Sequence, residues 1–68
     1  MRYTAKPSAR ADGIAWGVKD EHGAISYQSD MTKLQAQIVA MFHNNGWAQE
    51  FEEISNILEV AGIDFEAL

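Results

Sequence analysis

Apolar and polar residues alternate along the first part of the chain and recur at spacings of three and four in the second. Tyr3, Ala5 and Pro7 fall on one side of a two-residue period and Arg2, Thr4 and Lys6 on the other, which predicts a strand over about 2–7. Pro7 makes it an edge strand, because proline cannot donate to a ladder. Residues 8–13 are polar and end in Asp12-Gly13, a turn signal. Ile14, Trp16 and Val18 alternate again and predict a strand over 14–19. Asp20-Glu21-His22-Gly23 reads as a tight loop, and Ile25 and Tyr27 mark a third strand over about 24–28. A four-residue loop pairs Lys19 with Ala24, Val18 with Ile25 and Trp16 with Tyr27, which gathers four apolar side chains on one face.

Beyond residue 29 the period changes. Met31, Leu34, Ile38, Met41 and Phe42 make one helical stripe, with Lys33, Gln35 and Gln37 outside it. This predicts a helix over about 30–45, capped by Ser29 or Asp30 and ended by Asn44-Asn45-Gly46 with Gly46 left-handed. Trp47, Phe51, Ile54 and Leu58 predict a second helix over about 47–61, with Gly62 after its end and Ile63 placed against Leu58 by a Schellman motif. In the tail, 62–68, the run Ile63-Asp64-Phe65-Glu66 alternates like a strand, while Asp64 also suits the cap of one final turn. The fold class is α+β: one domain over 1–68, a three-stranded antiparallel β-meander followed by an αα-hairpin (βββαα).

Charge divides the chain in the same place as the period. Its 68 residues carry a formal net charge of -5. Up to residue 33 there are five bases (Arg2, Lys6, Arg10, Lys19, Lys33) and four acids. From Leu34 onward there are six acids and no Lys or Arg. Part of that acidity is helix chemistry, since Glu50, Glu52 and Glu53 suit the positive end of a helix dipole. The net acidity argues against direct contact with phosphate backbones, and the second helix has no base with which to read DNA. There is no cysteine, which excludes disulfides, thiolate metal sites and cysteine nucleophiles. No apolar run reaches the roughly 18 residues of a membrane helix, and residues 1–10 lack a signal-peptide core. A cytoplasmic location is the expectation. A domain this small buries only about 60% of its unfolded surface, so it leans on its core or on association.

Four groups are candidates for chemistry. His43-Asn44-Asn45 has the look of His-Asn-His nucleases, but at a helix end those residues suit the C-terminal dipole and a left-handed cap. Glu52, Asn56 and Glu59 are spaced four and three apart and share an outward helix face; with Glu50, Glu53, Asp64 and Glu66 they form the candidate partner-binding set. Solvated helix surface is the plainer reading of such a charge run. The aromatics Tyr3, Trp16, Tyr27, Phe42, Trp47 and Phe51 read as core under the helices, while Phe65 either docks back on the core or reaches into a partner. Arg2, Lys6 and Arg10, beside Lys19, read either as a weak positive strip for phosphate or, the favoured reading, as charges that protect a strand edge. Gly13, Gly17 and Gly23 do not form a phosphate loop, and no triad, nucleophile elbow or metal-ligand cluster is present. The sequence therefore points to no enzyme, no cofactor and no metal.

The stretch Trp16-Gly17-Val18-Lys19-Asp20-Glu21-His22-Gly23, followed by strand and helix, resembles short phage- and prophage-encoded accessory proteins, which often pair a β-meander with one or two helices. Some small acidic members are anti-CRISPR inhibitors. The resemblance rests on size, charge split and strand–turn pattern over about the first 45 residues, and no functional residue carries over from it. It implies a non-enzymatic inhibitor that docks on a basic surface of a nucleic-acid-handling protein complex. A self-associating structural protein, dimeric through its helices or tail, is the alternative.

Overall fold

The computed structural model describes residues 2–10, 13–23 and 30–68. Thr4–Arg10 forms β1 and Gly13–Lys19 forms β2, an antiparallel pair with Thr4 opposite Lys19, Pro7 opposite Trp16 and Arg10 opposite Gly13. β1 is longer than its side-chain pattern implies. Ser8, Ala9 and Arg10, expected as loop, are paired through their backbone to Ala15, Ile14 and Gly13. Polar composition does not prevent this, because a ladder satisfies the peptide groups whatever the side chains are.

Pro7 stands inside β1, not at its end. Trp16 exchanges both peptide hydrogen bonds with Met31: its N–H donates to Met31 O at 2.8 Å, and Met31 N–H donates to Trp16 O at 3.1 Å. A strand residue turns its N–H and C=O toward one neighbour only. Pro7, opposite Trp16, therefore occupies a non-hydrogen-bonded position, and its nitrogen points away from β2. The same bridge corrects one expectation: Met31 is extended backbone and not helix. Tyr27, expected opposite Trp16, lies outside the described residues. The third strand expected over 24–28, with the pairs Lys19–Ala24 and Val18–Ile25, lies outside the described residues. Among the described residues the sheet has two strands.

Lys33–Asn45 forms α1. It begins three residues later than expected because Thr32, not Ser29 or Asp30, caps it. Thr32 Oγ1 accepts from Gln35 N–H at 3.2 Å and Gln35 Oε1 accepts from Thr32 N–H at 3.0 Å, a reciprocal capping box. Gly46 takes the left-handed cap at φ 68°, as expected. The buried face is rotated from the expected stripe: Gln35, Ala36, Val39, Ala40 and Phe42 face inward, whereas Leu34 and Met41 are 48% and 44% exposed. Small Ala36 and Ala40 suit a helix lying against strands, and Gln35 is tolerated inside because its amide is hydrogen-bonded.

Phe51–Val60 forms α2. It starts four residues later than expected, after a connection in which Ala48 is buried and His43 Nε2 meets Gln49 O at 2.9 Å. Trp47 is not part of a buried helical stripe. It is 57% exposed, with its ring edge-on to Phe42 at 5.4 Å. α2 ends in the expected Schellman motif: Ile63 N–H donates to Leu58 O at 2.8 Å and Gly62 N–H to Glu59 O at 2.9 Å, with Gly62 at φ 83°. The chain then closes in a 3₁₀ turn, Phe65–Ala67.

α1 packs chiefly on the strands and α2 chiefly on the 3₁₀ turn. Val18, Met31, Val39, Phe42, Ile54 and Phe65 are the larger members of one buried cluster shared by β2, α1, α2 and the 3₁₀ turn, with half-buried Ala5 of β1 packed against it.

Candidate functional site

Successive helical residues turn by about 100°. Phe51, Glu52, Ser55, Asn56 and Glu59 therefore occupy one side of α2, and Ile54 the buried side. The Schellman turn at Gly62 reverses the chain, and the tail runs back beside α2. Phe65, 1% exposed, fixes the tail: its ring lies 5.0 Å from that of Phe51, and its carbonyl accepts from Gln35 Nε2 at 3.1 Å. Thr32 Oγ1 adds a hydrogen bond to Leu68 O at 2.9 Å.

Between α2 and the tail lies a groove of about 770 Å³, walled by Glu52, Ser55, Asn56 and Glu59 on one side and by Ile63, Asp64 and Glu66 on the other, with Phe51 and Phe65 at its base. The expected face is thus concave, not the outward convex surface that a lone helix would give. Five members of the candidate set, Glu52, Asn56, Glu59, Asp64 and Glu66, line it. Glu50 and Glu53 do not. Glu50 is the N-cap residue of α2 and makes no side-chain cap hydrogen bond, and the helical turn carries Glu53 to the other side of α2. Ser55 and Ile63 line the groove without having been singled out, although Ser55 lies on the Glu52–Asn56–Glu59 face by spacing alone.

Among the described residues no Lys or Arg lines the groove, and its four carboxylates form an acidic lining. They flank the groove without converging: among the described residues no three His, Asp or Glu side chains gather as metal ligands. Arg2 is engaged with Glu21 at 3.9 Å and Lys33 lies over the Trp16 ring at 5.4 Å.

The other candidates resolve into structure. His43 stacks edge-on to Tyr3 at 4.6 Å, Asn44 bonds the Tyr3 backbone, and Asn45 Nδ2 donates to Met41 O at 2.8 Å. Trp16 is half-buried against the core, and Phe65 docks back on it. The predicted Tyr27 position lies outside the described residues. A second, smaller cavity of about 280 Å³ lies between β1 and α1, and nothing in the side-chain pattern announces it. No helix is long and apolar enough to cross a membrane. Comparison of the chain with protein-family models, with curated proteins and with solved structures finds no match.

Proposed function

We propose that the chain is a non-enzymatic protein-binding module whose acidic groove docks on a basic surface of a nucleic-acid-handling protein. The observation that supports this is the gathering of Glu52, Asn56, Glu59, Asp64 and Glu66 around one concavity with no Lys or Arg among the described residues on its wall. Opposite potentials steer association and make it sensitive to salt, and an open groove admits a Lys or Arg side chain with its aliphatic stem against Phe51 and Ile63. A phage-encoded inhibitor of the anti-CRISPR type, acting in the host cytoplasm on a defence complex, is the specific form of this reading.

The test is the double substitution Glu52→Lys with Glu59→Lys. Both residues are exposed, so the fold is retained. Capture of a basic partner is expected to weaken by about tenfold or more, with the difference narrowing as salt rises. Undiminished capture by the folded double variant sinks the proposal.

A second reading, self-association, has its own observation. Val60 is 92% exposed, Trp47 57% and Ile57 42%, which leaves large apolar side chains in water. Light scattering at micromolar concentration separates the two: a monomer with a cooperative melt leaves self-association nothing to account for.

A further inference from the structure

The alternation that turns the nitrogen of Pro7 away from β2 turns the N–H and C=O of Ala5 the same way. Among the described residues nothing bonds these two groups. Tyr3 also faces outward, and there the neighbouring position is already filled. Asn44 Oδ1 accepts from Tyr3 N–H at 2.9 Å, and Asn44 Nδ2 donates to Tyr3 O at 3.0 Å. One side-chain amide thus does for Tyr3 what the peptide groups of an adjacent strand would do. The cavity of about 280 Å³ continues from this point, with β1 on one side and Gln37, Ala40, Met41 and Asn44 of α1 on the other. No residue of β2 lines it, so it runs along the outer edge of β1.

We propose that this edge takes an extended acidic segment of a partner protein as an added strand, anchored on the N–H and C=O of Ala5. The segment's side chains alternate between two faces. Those on the inner face enter the cavity, where Ala40 and Met41 admit a small aliphatic group. Those on the outer face meet the face of β1 that carries Thr4 and Lys6, with Lys19 directly across from Thr4. Cross-strand pairs of opposite charge favour acids there. Pro7 offers a carbonyl but no donor, and Asn44 occupies the Tyr3 position. The added strand is therefore short and centred on Ala5. This surface differs from the acidic groove in place and in sign: it binds acid, where the groove binds base.

The probe is a short capped peptide of alternating Glu and Val, titrated into the isotope-labelled chain and followed by amide chemical shifts and hydrogen exchange. The Ala5 amide is expected to shift and to gain protection. Ala5→Pro removes an outward-facing donor and is expected to weaken binding about tenfold. Lys6→Glu is expected to weaken it about threefold to fivefold. The same peptide N-methylated along its bonding edge, titrated into the unaltered chain, is expected to lose binding, which keeps the test decisive if Ala5→Pro does not fold. The proposal is overturned by perturbations confined to residues 51–66, by equal binding of the methylated and unmethylated peptides, or by equal binding of an alternating Lys and Val peptide.

Discussion

α1 and α2 follow one another in the chain and are held by different means. α1 is closed at its start by the Thr32–Gln35 capping box, at its end by left-handed Gly46, and buries five residues. α2 has no side-chain cap at Glu50 and buries only Ile54 fully. What α2 lacks in burial it draws from the tail, through Phe51 against Phe65 and through the Schellman turn. The difference separates two tasks. A helix buried along one face and capped at both ends serves as scaffold. A helix anchored at one line of contact leaves most of its circumference to solvent, and that is where the acidic groove is built.

The comparison can be broken at its joint. Phe65→Ala empties a fully buried site and unfastens the tail from both helices, a loss of about 3–5 kcal/mol. In a domain this small, that is expected to abolish the cooperative melt or to leave α1 and the strands ordered with α2 frayed. Hydrogen exchange that falls uniformly over both helices would count against α2 being the dependent one. Thr32→Ala removes the cap of α1 and its bond to Leu68, a loss of about 1 kcal/mol. The corresponding fall in Tm is about 4–8 °C. Val60→Ser alters a side chain that touches little, and stability is expected to stay within about 0.5 kcal/mol. A Thr32→Ala melt no lower than that of Val60→Ser would show that capping does not distinguish the helices.

Much of this was legible in the sequence where local chemistry decides. The alternation of Ile14, Trp16 and Val18 marks β2, Gly46 and Gly62 take the left-handed positions assigned to them, and the four-and-three spacing of Glu52, Asn56 and Glu59 marks one wall of the groove. The failures lie where a distant partner decides. Gln35 reads as a surface residue until Phe65, thirty positions on, supplies the carbonyl that its amide needs. Leu34 and Met41 outweigh Ala36 and Ala40 in hydropathy, yet the alanines face inward. Met31 belongs by spacing to the helical stripe, but Trp16 holds it as extended backbone. The concavity itself had no local signal, because its second wall arrives only when the tail folds back. The edge of β1 was legible as an edge from Pro7; which of its peptide groups face outward required the Trp16–Met31 bridge.

Pro7 has one more consequence, and it concerns the chain before it folds. A proline inside a strand normally forfeits a ladder bond, but here its nitrogen faces away from β2, so the folded sheet gives up nothing. Its ring fixes φ in the unfolded chain as well, and so reduces the freedom that β1 must surrender on pairing. Where the native backbone accepts proline, that restriction favours the folded state by about 0.4–1 kcal/mol. For a short chain with no cysteine to cross-link it, part of the sheet's stability thus comes from limiting the disorder it competes against.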